Sequence, residues 1–130
     1  MLIDDYAHHP DEVAASINSI KRLYDDKKIT GIFQPHLYSR TRDFADAFAA
    51  SLSTLDELIL LDIYPAREEP IDGVTSKLIF DKVTIKNKTM CGKDEVLDLL
   101  KRRNPEVLIT LGAGDIELLL PEIEKVLRSK

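Results

Sequence analysis

Short apolar runs alternate with amphipathic helical stretches along the 130-residue chain. Residues 2–4 read as the stub of a first strand. Pro10 is favoured at a first helical position, and Asp11 and Glu12 suit the positive end of a helix dipole. Val13, Ile17, Ile20 and Tyr24 then recur on one face, with Lys21 and Arg22 towards the far end. Residues 29–33 predict a buried second strand, parallel to the first because a whole helix intervenes. A helix over about 41–53 places Phe44, Phe48 and Leu52 on one stripe, beside Ala45 and Ala49. The nearly all-apolar run 58–63 predicts a third strand buried on both faces.

A charged loop with two prolines follows over 64–73, too long for a plain connection. Thr75 or Ser76 caps a short helix to about 81, and 83–85 and 88–90 read as short strands around Lys86-Asn87. Residues 93–103 predict a helix carrying Val96, Leu97 and Leu100 inward, stopped by Asn104-Pro105. Residues 107–111 form the last clear strand. Gly112-Ala113-Gly114-Asp115 leads into a helix to about 127, which Pro121 must kink or restart. The pattern defines one α/β domain: a three-layer, Rossmann-like fold with a mostly parallel sheet of five or six strands and helices on both faces.

Composition narrows the function classes. The apolar fraction of 44% and charged fraction of 32% are those of an ordinary globular domain. A net charge of −5, with basic residues scattered, argues against nucleic acid and against an anionic membrane surface. No apolar run approaches the length of a membrane span. The one cysteine, Cys91, fits a reducing, cytoplasmic setting and reads as a small semi-buried side chain.

The candidate chemistry gathers where strands end, the usual ligand crevice of an open α/β sheet. In Asp4-Asp5-Tyr6-Ala7-His8-His9-Pro10, Asp4 and Asp5 point to opposite sides if the strand persists. Asp5 is placed to accept from a ribose or to sit near a metal, and Asp4 to hold the loop or cap the helix. His8 and His9 precede a helix N-terminus, whose positive potential favours neutral rings. A zinc site would need more ligands than the remaining His36 supplies, so no metal site is read here. In Phe33-Gln34-Pro35-His36-Leu37-Tyr38-Ser39-Arg40-Thr41-Arg42, the fork of Arg40 suits a carboxylate or phosphate. A cation there opposes the helix dipole, and a bound anion would explain it. The Gly112-Ala113-Gly114 turn lacks the third glycine of a dinucleotide fingerprint and reads as a tight strand-to-helix turn.

These two blocks, together with Tyr64-Pro65-Ala66-Arg67-Glu68, then Pro70-Ile71 and Gly73, and Gly112-Ala113-Gly114-Asp115-Ile116, resemble the signatures of the UDP-N-acetylmuramate–L-alanine ligases of the Mur ligase family. They occur in the family's order and span almost the whole chain. The resemblance covers the C-terminal third of such an enzyme. It implies that residues 1–130 are an ATP- and amino-acid-binding domain, with the N-terminal UDP-binding and central ATPase domains missing from this chain. It implies ATP-dependent amide formation between UDP-N-acetylmuramate and L-alanine in peptidoglycan synthesis, with magnesium held mainly by the central domain. It further implies that Asp5 and His9 face the nucleotide, and that Tyr6, His8, His36 and Arg40 bind the amino acid. Leu37 departs from the pattern, since many relatives carry arginine there. Alone, such a domain is expected to be inactive. Two other readings stay open: a free-standing nucleotide-binding or regulatory module, and the C-terminal domain of a related ligase that recycles cell-wall tripeptide.

Overall fold

The structure, a computed structural model, describes residues 2–112 and 114–128. Five strands and five helices alternate: β1 Leu2–Asp5, α1 Pro10–Leu23, β2 Ile29–Gln34, α2 Tyr38–Leu52, β3 Glu57–Leu60, α3 Lys77–Phe80, β4 Lys88–Met90, α4 Lys93–Arg103, β5 Val107–Gly112 and α5 Leu120–Arg128. A 3-10 segment, Asp115–Leu119, precedes α5 and absorbs the restart that Pro121 imposes. All strand pairs among the described residues are parallel, in the order β1-β5-β2-β3-β4. β1 and β2 are thus parallel, as expected, but β5 lies between them.

The inner strands β2, β3 and β5 are buried on both faces, and their alternation sorts the core into two layers. Phe33, Leu58, Leu60, Val107, Ile109 and Leu111 face α1, α2 and α3. Ile32, Ile59, Leu61 and Leu108 face α4 and α5. Helices on both faces complete the three layers, and no described helix is long and apolar enough to cross a membrane.

Several local expectations change. α2 begins three residues early, at Tyr38, and leaves helical geometry at Phe44 (φ −120°, ψ 19°). Phe44 is consequently 39% exposed, and the buried face is Thr41, Ala45, Phe48, Ala49 and Leu52. Residues 83–85 form no strand: Val83 N–H bonds back to Ile79 and Phe80 at the end of α3, and Thr84 N–H to the Ser53 hydroxyl. Asp4 neither caps α1 nor holds the loop. It accepts from Thr110 Oγ1 on β5 at 2.7 Å. Ser76 is the cap residue of α3 but makes no side-chain capping bond, because its hydroxyl donates to Leu61 O; Thr75, one residue earlier, accepts from Lys77 N–H at 3.2 Å.

Candidate functional site

The parallel order brings the carboxyl ends of β1, β2, β3 and β5 to one edge, and the polar loops converge there. Four rings form a row across it. Tyr6 meets His8 edge-on at 6.1 Å between centroids, His8 meets His36 at 5.9 Å, and His36 stacks on Tyr64 at 5.7 Å and 18°. A bridge between His36 and Tyr64 extends the β2–β3 pairing beyond both strands. Tyr6, His36, Tyr64, Gly114 and Asp115 line a cleft of about 300 Å³. Three of the four expected amino-acid-site residues, Tyr6, His8 and His36, therefore lie together.

Arg40 lies in the first turn of α2 and is half-buried. Its Nη1 is buried and has no hydrogen-bond partner among the described residues. The nearby acid that sequence offered as a partner, Asp43, is taken by Arg42, whose Nε donates to it at 2.8 Å. That bond and the opposite charge raise the Arg42 pKa and lower that of Asp43. The anion that compensates the α2 dipole is also internal. Glu68 accepts the Ser39 N–H at 3.1 Å and the Ser39 hydroxyl. Neither feature pairs the guanidinium of Arg40.

The cap residue of α2 is Leu37, held at φ 72°, where a bulky side chain is rare. Its N–H donates to Tyr64 O at 2.9 Å, and its carbonyl accepts from Thr41 Oγ1 at 2.9 Å. Strain of this kind costs about 1–3 kcal/mol and persists only where the surroundings over-determine it.

The expected nucleotide pair is divided. Asp5 is half-buried, accepting from Ala7 N–H at 2.9 Å and from Ser16 Oγ on α1 at 2.6 Å. His9 caps α1, donates its N–H to Glu12 at 3.1 Å, and lays its ring against Phe44, 5.2 Å between centroids. Its ring is turned towards α2.

Sequence reasoning assigned no role to Gln34, Glu68, Lys93 or Asp115. Signals existed: Gln34 is a polar residue ending an apolar strand, and Lys93, like Arg40, is a cation opposing a helix dipole. The glycine turn fills a structural need. A Cβ on Gly112, at φ 123°, would lie 2.5 Å from Gln34 O, so that position requires glycine. Ala113 of the same turn lies outside the described residues. Cys91 is buried, which pushes its thiol up to about 11 and makes it a poor nucleophile.

A parallel sheet between two helical layers, with polar loops converging at its carboxyl edge, defines a Rossmann-like α/β domain. Residues 1–116 match the Mur ligase, glutamate ligase domain family, and the chain belongs to it. It is 63% identical over 127 residues to the UDP-N-acetylmuramate–L-alanine ligase of Parabacteroides distasonis, covering 98% of this chain and 28% of that protein. It is 59% identical over 131 residues to the enzyme of the same description from Phocaeicola vulgatus, covering 100% and 29%. The crystal structure of UDP-N-acetylmuramate-alanine ligase from Thermotoga maritima superposes with a TM-score of 0.76 at 29% identity, over 99% of this chain and 27% of that one. The chain thus spans a little over a quarter of the length of the curated relatives it matches.

Proposed function

We propose that this domain is the amino-acid-binding end of a cytoplasmic, ATP-dependent ligase that joins L-alanine to UDP-N-acetylmuramate in peptidoglycan synthesis. The observation that carries the reading is Arg40. A buried guanidinium nitrogen without a partner among the described residues, in the helix that follows His36 in sequence, is costly unless a ligand anion completes it. With Leu37 unable to contribute a charge, Arg40 is the fork that grips the α-carboxylate, assisted by His36. Tyr6 and His8 bound the space for a small side chain. Held by its carboxylate, the amino acid presents its amine to the activated sugar carboxylate.

Asp5 fits a ribose. Ala7 and Ser16 orient its carboxylate, and each oxygen keeps a lone pair for a sugar hydroxyl. His9 is its neighbour at the start of α1. ATP, when bound, supplies the phosphoryl group that converts the sugar carboxylate into a good acylating agent. Among the described residues no three His, Cys, Asp or Glu side chains gather to hold a metal. By the family resemblance, magnesium is held mainly by the central domain of the whole enzyme.

The test is ADP release by the full-length ligase, which should require both UDP-N-acetylmuramate and L-alanine, while the 130-residue domain alone stays at background. Sustained turnover by the domain alone, or a full-length enzyme indifferent to alanine, would overturn the reading.

A further inference from the structure

One wall of the ring-lined cleft is the segment after β5, and a polar network decides where that wall stands. Gln34 is 4% exposed at the end of β2. Its Nε2 donates to Asp115 Oδ1 at 2.5 Å, and its Oε1 accepts the Ile116 N–H at 2.9 Å. Lys93, the first residue of α4, pairs with Asp115 Oδ2. One carboxylate therefore joins the end of β2, the start of α4 and the segment leading to α5.

Gly114 is packed directly against this network. A Cβ there would lie 2.8 Å from Gln34 Oε1 and 2.8 Å from Tyr64 Cγ. Only main chain fits between the polar cluster and the Tyr64 ring, so displacement of Asp115 carries over to the cleft. Asp115 lines the cleft, yet both its oxygens already bond to protein donors. Its pairing also explains Lys93, a cation at the unfavourable end of a helix.

We propose that Asp115 is a positioning residue: tied to Lys93 and Gln34, it sets Gly114 against Tyr64 and so fixes the width of the amino-acid cleft. The link to the amino acid rests on the function proposed above. The electrostatics agree. Partial burial would raise the Asp115 pKa, but the hydrogen bonds from Lys93 and Gln34 and the Lys93 charge outweigh it and lower the pKa.

Two measurements separate this proposal from the reading it rests on. In the 130-residue chain, Asp115→Ala frees Gln34 and should speed exchange of the Ile116 amide about tenfold or more, leaving α1 amides unchanged. In the full-length ligase the same change should raise KM for L-alanine about tenfold with kcat and the KM for ATP little altered. Lys93→Met should give part of the same rise, and covers the case in which Asp115→Ala does not fold. Unchanged Ile116 exchange overturns the positioning role, whatever the enzyme does. Faster exchange with an unaltered alanine KM overturns the link to the cleft. A wild-type ligase that ignores alanine defeats only the functional reading, which the exchange measurement does not use.

Discussion

Glu68 closes the N-terminus of α2 by accepting the Ser39 N–H at 3.1 Å and the Ser39 hydroxyl on its other oxygen. The helix has no acid in its own first turn, and Leu37 at its cap has no acceptor in its side chain. The loop after β3 supplies what the helix lacks. The bonds from Ser39, aided by the charge of Arg42, hold the Glu68 pKa below its ordinary 4.5. A carboxylate with a lowered folded pKa stabilises the protein above the unfolded value, and that contribution is lost as pH falls through the folded one. Melting curves of Glu68→Gln and the parent should therefore differ at neutral pH and converge in strong acid. A gap that persists in acid would assign the effect to shape and not to charge.

Among the described residues Arg40 makes no ion pair, since Asp43 belongs to Arg42. Arg40→Ala should leave the melting temperature of the domain unchanged or slightly higher. In the full-length ligase it should lower kcat/KM for L-alanine by about 2–4 kcal/mol of transition-state stabilisation. Arg40→Lys keeps the charge, loses the fork, and should fall between. Reduced stability with intact alanine kinetics would end the carboxylate assignment.

Asp5 is bonded both within the fold and, in the proposed function, to ribose. Asp5→Asn should raise the KM for ATP roughly tenfold, since a charge-assisted hydrogen bond is worth about 1.5–3 kcal/mol. Ser16→Ala removes only the donor that orients one carboxylate oxygen, and should raise that KM less while also lowering the melting temperature. Equal kinetic effects from the two variants would mean that Asp5 acts by holding α1, and not by touching nucleotide.

Two glycines with positive φ offer a control for backbone strain. At Gly73, φ 77°, a Cβ would meet nothing within 4 Å, whereas at Gly112, φ 123°, it would press against Gln34 O. Gly73→Ala should cost about 1–2 kcal/mol from conformation alone. Gly112→Ala should cost clearly more, seen as a larger shift in the urea midpoint. Equal shifts would show that β5 and β2 can separate at that point without penalty.

Much of this fold was determined by the sequence itself, because it depends on spacing and local chemistry. Pro10 starts α1 and Asn104 ends α4 in the left-handed region at φ 52°, both legible from single residues. The apolar run of β3 announced a strand covered on both faces, and those of β2 and β5 announced strands, which prove equally covered. The loops of the candidate site were legible as loops, since Tyr6, His8, His36 and Arg40 stand beside strand ends and helix starts. Tertiary structure alone decided the rest. It inserted β5 between β1 and β2, gave Asp4 to Thr110, and gave Asp115 to Lys93 and Gln34. It also turned Phe44 out of the core and onto His9, against its helical spacing. Periodicity says which face of an element seeks burial, but not which neighbour arrives there. Partners distant in sequence are chosen by strand order and register, and those are set by the packing of the whole sheet.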